Sequence, residues 1–593
     1  MMVMKRPCWL FFLLIFLACE KPEPELKSQI LNYPPAGMVP EIARLNPGLD
    51  FLRVKLGKQT RIAVAYAPGR DLKMDSSSTN PVKFYYGVIP SYFRKYPEPI
   101  TLQILITNQG QEQVIWSGKV APEKALGWEF AEAMLPEKSS LIIFRSDIKD
   151  YGLAITPPKP GRFAPDSRPS IIFILVDALR ADHLGAYGYQ RETSPNLDQL
   201  AGSGVIFMNA MTSSTFTVTS LASMFTGLYP WEHRALFAYS MILGDDLVTV
   251  AQKLREAGYQ TAGFSATYFL LSDFQLERGF ELFDEGCDVN FFVGDAECLT
   301  EKAGRWLDTE AESPFFLYLH YVSTHSPYHP PEEYQKLFSA GLEKPKGAVG
   351  LGDIQPFGDT RKWYQIPRAP RKNELDWLIS QYDGEIRYAD AEIGKLLARL
   401  NELGLRDQTL ILITADHGEA FFEHKEMEHT EENHWQVTRI PLILSGPGIP
   451  GGKKIDALVR SIDLAPFLLE YAATEPLSGI SGKSFSALFS GTEPDPRIGY
   501  SIKYRSEKKY QIGVVKYPDH FLIWRPADKK VELYDLITDP LEQTNLSLTR
   551  PDLYQHFYSL LPDQNLVFFG AGPKEQKLSP ETQKRLKTLH YTK

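Results

Sequence analysis

The sequence predicts an α/β protein in which a mostly parallel sheet is flanked by helices. Between residues 168 and 490, short apolar segments of strand length alternate with amphipathic segments of helical length. Two of the apolar segments, 171–176 and 409–414, lead into the carboxylates Asp177 and Asp416. Functional groups collect at the carboxyl ends of parallel strands. These segments therefore predict both the sheet and the edge of it that carries a site.

Local signals predict the individual elements of this region. Ser194 and Pro195 begin one helix as N-cap and first-turn residue, and Gly258 ends another helix that starts near residue 247. A long amphipathic helix is predicted for residues 382–403. Two further strands are predicted, at residues 260–266 and 315–322.

The segments on both sides of the α/β region show the pattern of antiparallel sheets. Residues 20–165 contain short β-prone runs separated by turn residues, and they predict an N-terminal β-sandwich accessory domain with a structural role. A Pro-rich stretch at 157–169 marks a linker. Residues 495–593 begin with four further β-prone runs, which predict a small C-terminal subdomain built on an antiparallel sheet.

Composition limits the function classes. The chain has 593 residues, which is too long for one ordinary domain, and its 43 % of hydrophobic residues are enough for full-sized cores. The formal net charge is −9 and no basic patch is visible in the sequence. A nucleic-acid-binding protein would need such a patch, so we expect no nucleic-acid partner.

Residues 1–19 have the pattern of a signal peptide of the lipoprotein type. Lys5 and Arg6 precede an apolar stretch that is too short to span a membrane comfortably, and Ala18 precedes Cys19. The end of this segment resembles a bacterial lipobox, in which the cysteine becomes the lipidated first residue of the mature chain. We therefore expect a bacterial cell-envelope protein, anchored to a membrane through lipid on Cys19, at the periplasmic or outer-membrane face. The alternative is a cleaved signal without lipid.

Two cysteines remain once the first is removed with the signal peptide and the second carries the lipid. Cys287 and Cys298 form either one disulfide in an oxidising compartment or two free buried thiols. No cysteine spacing is typical of a metal site, so a metal ion would have to take oxygen and nitrogen ligands.

Two carboxylates, one imidazole and one hydroxyl form a candidate site for one divalent cation. They belong to Asp177, Asp416, His417 and Thr217. Four such groups can surround a cation tetrahedrally. Because a hydroxyl held on a cation becomes a nucleophile at neutral pH, this set points to an enzyme.

A series of short motifs follows in a fixed order between residues 168 and 590. They include Asp177-Ala178-Leu179-Arg180, Thr226-Gly227-Leu228-Tyr229-Pro230, His325-Ser326-Pro327-Tyr328, Asp416-His417-Gly418-Glu419, Arg439-Ile440-Pro441-Leu442 and Glu532-Leu533-Tyr534-Asp535. Together they resemble the sulfatase family of the alkaline phosphatase superfamily. The resemblance implies an alkaline-phosphatase-like fold, with residues 168–490 as the catalytic domain and 495–593 as part of the same catalytic unit.

The resemblance also assigns histidines to the substrate. His325 and His429 would contact the non-bridging oxygens of an anionic ester, which could be linked to a glycan or a lipid. His320 and His424 are additional candidates for contacts with the substrate or a metal. His320 could equally be a core histidine beneath the sheet.

The nucleophile position departs from the family pattern. Members that hydrolyse sulfate esters use a cysteine or serine that is converted to formylglycine within Cys/Ser-x-Pro-x-Arg. Here the three defined positions hold Thr217, Thr219 and Leu221. Relatives that transfer phosphoethanolamine or glycerophosphate use a metal-bound threonine, and this chain is similar to them.

The metal ligands depart from the pattern as well. Ala178 stands where a second aspartate is usual, and His417 stands where asparagine is usual. The resulting donor set favours Zn²⁺ or Mn²⁺ over Ca²⁺, which prefers six or more oxygens. Ca²⁺ and Mg²⁺ remain the alternatives.

Three functions fit these residues. The favoured one is a metal-dependent hydrolase of the sulfatase family that cleaves phosphoesters or transfers a phosphoryl group through a metal-bound Thr217. The second is sulfate ester hydrolysis without formylglycine. The third is a catalytically degenerate sulfatase-like lipoprotein that binds a partner, and the retention of all four metal-site residue types argues against it.

Overall fold

The computed structural model of the chain describes residues 51–562 with several breaks, the longest at 157–167 and 343–368. The predicted signal at 1–19, with Cys19, lies outside the described residues. In the part of the chain that is described, no helix is both long enough and apolar enough to cross a membrane.

The N-terminal strands form two sheets that share one apolar core. The strands are β1 (Phe51–Leu56), β2 (Gln59–Ala65), β3 (Leu72–Asp75), β4 (Val82–Val88), β5 (Ile100–Asn108), β6 (Gln111–Val120), β7 (Glu129–Ala133), β8 (Leu141–Ser146) and β9 (Leu153–Ile155). One sheet has the order β3-β8-β5-β6, and the other strands are arranged as β2-β9-β4-β7. Phe84 on β4 meets Phe144 on β8 edge-on, with ring centroids 5.0 Å apart. The predicted β-sandwich is therefore confirmed.

The α/β region supplies the strands of the central sheet and two short hairpins. These strands are β10 (Ser170–Val176), β11 (Val205–Met211), β12 (Gln260–Ser265), β13 (Leu282–Asp284), β14 (Asp288–Asn290), β15 (Val293–Gly294), β16 (Phe315–Tyr321), β17 (Thr409–Thr414), β18 (Ala420–Phe421), β19 (Met427–Glu428), β20 (Arg439–Ser445) and β21 (Lys453–Arg460). Buried apolar side chains dominate β10, β16 and β17, as expected for strands covered on both faces.

Parallel strands form the middle of this sheet, in the order β13-β12-β16-β10-β17. The next strand, β20, runs antiparallel to β17 and leads to β11 and β21. Leu175 on β10 is in register with His320 on β16 and with Thr414 on β17. The carboxyl ends of three adjacent strands therefore meet at one edge, as the sequence predicted.

The longer helices of the α/β region pack against its strands in one extensive apolar core, and the last helix packs against the C-terminal sheet. Their bounds are α1 (Pro195–Gly202), α2 (Thr217–Thr226), α3 (Pro230–His233), α4 (Val250–Glu256), α5 (Ala296–Thr309), α6 (Glu332–Leu337), α7 (Lys372–Glu402), α8 (Trp435–Thr438), α9 (Leu464–Tyr471) and α10 (Pro551–Ser559). Helix α7 begins well before the predicted residue 382, because Arg371 and Glu374 form a capping interaction in a charged stretch. Helix α4 is shorter than predicted, because Thr249 caps it from outside.

The C-terminal strands form the predicted antiparallel sheet. They are β22 (Ile498–Ser506), β23 (Lys509–Lys516), β24 (His520–Arg525) and β25 (Lys530–Asp535), paired in that order. Apolar residues of this sheet pack with Met211, Trp435 and Leu458 of the α/β region. The sheet is thus docked on the α/β region through a shared core.

Two further features concern the connections within the chain. Cys287 and Cys298 form a disulfide, with their Cα atoms 5.7 Å apart, so the structure holds the first of the two cysteine alternatives. Strand β2 pairs antiparallel with β13, which makes one sheet of the sandwich continuous with the central sheet.

Candidate active site

Three of the predicted metal ligands converge at the carboxyl edge of the sheet. Asp177 follows β10, and Asp416 and His417 follow β17. Each offers a ligand atom, and these atoms all lie within 4.8 Å of one another in a fully buried group. His417 Nε2 lies 3.6 Å from Asp177 Oδ1 and 3.3 Å from Asp416 Oδ2. The structure therefore brings together residues that are more than two hundred positions apart in sequence.

The hydrogen bonds around these residues leave their inward atoms available for a cation. His417 Nδ1 donates to the Gly418 carbonyl at 2.9 Å, so Nε2 of the neutral ring carries a lone pair. Asp177 Oδ1 and Asp416 Oδ2 are buried and have no hydrogen-bond partner among the described residues. Three lone-pair donors that face one another repel unless a cation lies between them. The site therefore fits a divalent metal ion.

The acidities of the two carboxyl groups support the same interpretation. Burial would raise the pKa of Asp177, but His320, His325 and His417 lower it to about 2. Burial and the negative charge of Asp177 raise the pKa of Asp416 above its usual value. The negative charge of one carboxylate thus opposes ionisation of the other. A bound cation would remove this repulsion.

Thr217 lies at the first position of α2 and is 1 % exposed. Its Oγ1 is 3.5 Å from His417 Nε2, so the hydroxyl lies beside the three metal-holding residues. The free N–H groups and the dipole of a helix N-terminus favour negative charge on or near this oxygen. The predicted nucleophile is therefore placed where an anionic group would be stabilised.

His325 and His429 form a second pair next to this group. Their Nε2 atoms are 3.2 Å apart, and the rings of His429 and His417 stack with centroids 4.0 Å apart. His429 Nδ1 donates to the Thr215 carbonyl at 2.8 Å, and His325 Nδ1 donates to the Ser326 carbonyl at 2.6 Å. The bond between the two rings therefore needs a proton on one of the two Nε2 atoms, which makes one of the rings an imidazolium.

Electrostatics favour His325 as the ring that carries this proton. Burial opposes a charge on His325, but Asp177 and Glu428 raise its pKa above the usual value. Burial, together with the neighbouring imidazoles of His417 and His325, holds the pKa of His429 well below its usual value. The pair offers one cationic and one neutral ring beside Thr217, which suits contacts to an anionic substrate.

His320 shows features of both roles that the sequence allows, a core histidine and a residue of the site. It is fully buried on β16, as a core histidine would be. Its Nε2 nevertheless lies 3.5 Å from Asp177 Oδ2, the oxygen that does not face His417. His320 is therefore placed to orient a metal ligand, and it does not belong to the metal-holding group of three.

His424, the other additional candidate, lies outside the candidate metal group of Asp177, Asp416 and His417. Its ring stacks on His434 with centroids 3.6 Å apart, and its Nε2 lies 3.8 Å from Glu542 Oε2. It thus belongs to a buried junction between the loop after β18 and the C-terminal part of the chain.

Several residues that support the site were not singled out from the sequence. Tyr328 donates to Glu419 Oε2 at 2.8 Å, and Ser326 donates to Glu428 Oε1 at 2.6 Å. Burial and the charge of Glu428 raise the pKa of Glu419 well above its usual value. Both Tyr328 and Glu419 lie within the quoted motifs, so motif membership was the signal that could have found them.

Comparisons with known proteins identify the family of the chain. A model of the sulfatase family, described as "Sulfatase", matches residues 169–474, more than half of the chain. A second model, described as "N-sulphoglucosamine sulphohydrolase, C-terminal", matches residues 420–561. Among curated proteins, an arylsulfatase of Clostridium perfringens is 25 % identical over 439 residues, which are 64 % of this chain and 90 % of that protein.

Solved structures show the same fold. A protein in complex with its substrate D-glucosamine-2-N,6-O-disulfate has a TM-score of 0.55 at 21 % identity and covers 69 % of this chain and 100 % of its own. The phosphonate monoester hydrolase of Agrobacterium radiobacter has a TM-score of 0.54 at 20 % identity, with 66 % of this chain and 95 % of its own covered. With the family match, the shared fold and the converging site residues, the chain belongs to the sulfatase family of hydrolases, in the alkaline phosphatase superfamily.

Proposed function

We propose that the protein is a metal-dependent hydrolase that cleaves phosphoesters, or transfers a phosphoryl group, with Thr217 as the nucleophile. The observation that carries the proposal is the hydroxyl of Thr217, which lies 3.5 Å from His417 in a fully buried group of metal-holding residues. A threonine cannot supply the aldehyde hydrate on which formylglycine sulfatases depend. It can supply an alkoxide that attacks phosphorus.

The metal would be held by Asp177, Asp416 and His417, with Thr217 beside them. The donor set of carboxylates and an imidazole favours Zn²⁺ or Mn²⁺ over Ca²⁺. When bound, the cation would lower the pKa of the threonine hydroxyl and neutralise charge on the transferring group.

The chain's own residues supply the remaining steps. Thr217 Oγ1, having lost its proton to water, attacks phosphorus in line with the leaving alkoxide. The bond from Thr217 to phosphorus forms as the ester bond breaks, and the leaving oxygen takes a proton from water. The imidazolium of His325 and the N-terminus of α2 stabilise negative charge on the equatorial oxygens. Water, or the hydroxyl of an acceptor, then attacks phosphothreonine and restores Thr217.

Relatives support an anionic ester as the substrate class. The Clostridium perfringens relative is an arylsulfatase, and the solved neighbours include a phosphonate hydrolase and a protein bound to a disulfated glucosamine. We extend to this chain only the shared feature, which is an ester or phosphonate of a tetrahedral oxyanion. A glycan or a lipid could carry that group.

The decisive experiment replaces the nucleophile. Thr217→Ala should lower turnover of an aryl phosphate by about three orders of magnitude or more, while the metal content and the melting temperature stay close to those of the wild type. Thr219→Ala, two residues along the same helix, is the matched control and should keep most of the activity. Wild-type turnover in Thr217→Ala would contradict the proposal.

Sulfate ester hydrolysis is the competing function within the same family. Wild-type enzyme should be assayed in parallel on aryl phosphate, phosphodiester, phosphonate and sulfate esters, with the metal content measured on the same sample. We expect the phosphorus esters to turn over faster. Faster turnover of the sulfate ester by the wild type, together with loss of that turnover in Thr217→Ala, would instead favour a sulfatase that works without formylglycine.

We further propose that the protein is anchored to a membrane of the bacterial cell envelope through lipid on Cys19. The support is the lipobox-like sequence at 1–19. Membrane fractionation of the wild type and Cys19→Ser tests this point, because the variant should leave the membrane fraction.

A further inference from the structure

A buried lysine from the C-terminal sheet reaches the segment that carries His429. Lys503 lies on β22 and is 7 % exposed. Its Nζ donates to the His429 carbonyl at 2.9 Å. Burial of an ammonium group costs free energy unless the surroundings compensate it, so its position next to an oxyanion site has a physical consequence.

The same strand holds the site segments through two other contacts. Ser501, two residues before Lys503 and therefore on the same side of β22, donates to Asn433 Oδ1 at 3.1 Å. The Ile502 N–H donates to the Ser213 carbonyl at 2.9 Å, just upstream of Thr217. Strand β22 thus connects the segment of His429 to the segment of the nucleophile.

Lys503 acts on His429 from the backbone side. The imidazole of His429 is held at its other end by the Thr215 carbonyl and stacks on His417. The ammonium of Lys503 holds the main chain from which that ring projects, so both ends of the residue are fixed. The charge of Lys503 is also felt at the ring, where it is one of the positive neighbours that keep the pKa of His429 low.

We propose that Lys503 is a positioning residue of the oxyanion site. It fixes His429 between Thr215 and His417, and it adds a buried positive charge that a bound phosphate or sulfate group encounters. The inference rests on the proposed function, since it assumes that an oxyanion occupies the space between Thr217, His325 and His429. It assigns a role in the active site to the C-terminal sheet.

The test measures binding of inorganic phosphate to the metal-loaded full chain by titration calorimetry. Lys503→Met should bind phosphate about tenfold more weakly, because a hydrogen-bonded charge near the anion is lost. Lys503→Arg keeps the charge and should bind within about threefold of the wild type. Ser501→Ala is the matched control, since it removes a contact of the same strand to the same loop without a change of charge.

The outcomes separate a positioning role from a merely structural one. Unchanged phosphate affinity in Lys503→Met, or an equal loss in Ser501→Ala, would overturn the inference. If Lys503→Met fails to fold, Lys503→Gln replaces it, and equal affinities of the Gln and Arg variants would then overturn the inference. Failure of the wild type to bind phosphate would contradict the proposed function itself, and the inference would fall with it.

Discussion

At the scale of single residues, the candidate site depends on which atoms of each side chain are already engaged. Backbone carbonyls accept from His417 Nδ1 and His429 Nδ1, so the Nε2 atoms of both rings face the site. His320 approaches Asp177 Oδ2 and leaves Oδ1 toward His417. Neighbours that engage one atom of a ligand determine the direction of the other, which is why such neighbours matter to metal affinity.

His320→Asn should weaken metal binding by about 10- to 100-fold, because Asp177 loses the imidazole that orients it. Competition with a chelator of known affinity measures this. Tyr318→Phe is the control, since Tyr318 lies on the same strand and its buried hydroxyl has no hydrogen-bond partner among the described residues. Equal affinities of wild type and His320→Asn would show that His320 is only a core residue.

At the scale of elements, the turns after β10 and β17 hold the metal-site residues. Ala178 has a left-handed backbone with φ of 56°, and its N–H donates to Asp416 Oδ1 at 3.2 Å. Tyr382 on α7 donates to the Ala178 carbonyl at 2.7 Å. Helix α7, which is far from the nucleophile in sequence, therefore holds the turn that presents Asp177.

The second turn depends on a glycine that approaches α8 closely. A Cβ atom on Gly418 would lie 2.2 Å from the Gln436 carbonyl oxygen, and the Gly418 N–H donates to the Val437 carbonyl at 2.7 Å. Gly418→Ala should push α8 away from the turn and move the neighbouring His417. We expect a loss of bound metal and of most activity.

Metal analysis and thermal unfolding of Gly418→Ala measure this effect. Gly304→Ala, on α5, is the control. A Cβ atom on Gly304 would meet no neighbouring atom within 4 Å, and alanine favours a helix over glycine. Gly304→Ala should be neutral or slightly stabilising. Full metal loading of Gly418→Ala would contradict the close-approach argument.

At the scale of the whole molecule, the N-terminal sandwich is built into the central sheet. Gln59 Nε2 donates to Asp284 Oδ2 at 2.7 Å, and Arg61 Nη1 donates to Glu310 Oε2 at 3.3 Å. These contacts accompany the pairing of β2 with β13. Since β13 would otherwise be an edge strand, the sandwich covers backbone groups that would attract other chains.

A chain that starts at residue 168 should therefore be less soluble and melt at a lower temperature than the chain with the sandwich. Its β13 edge would be exposed. The hydrogen bonds of Asp284 and Glu310 to the sandwich would be lost. Thermal unfolding and size-exclusion chromatography of both proteins measure this. Equal melting temperatures and a monodisperse truncated protein would indicate that the sandwich is an independent accessory domain.

The sequence by itself determined the class of fold, four of the five parallel strands of the central sheet and the residues of the candidate metal site. These features depend on local periodicity and on short motifs at strand ends, which are visible along a single chain. The same local signals placed the C-terminal sheet. Helix ends were less accurate, because Arg371 and Thr249 cap helices from positions that the apolar pattern does not mark.

Only the tertiary structure decided which histidines face the site and what supports them. His424 and His429 are five positions apart, on either side of β19, yet one stacks on His434 and the other on His417. The contact of Lys503 with His429, like the pairing of β2 with β13, joins distant segments. Such contacts arise from the packing of whole elements against one another, and no local pattern in the sequence encodes them.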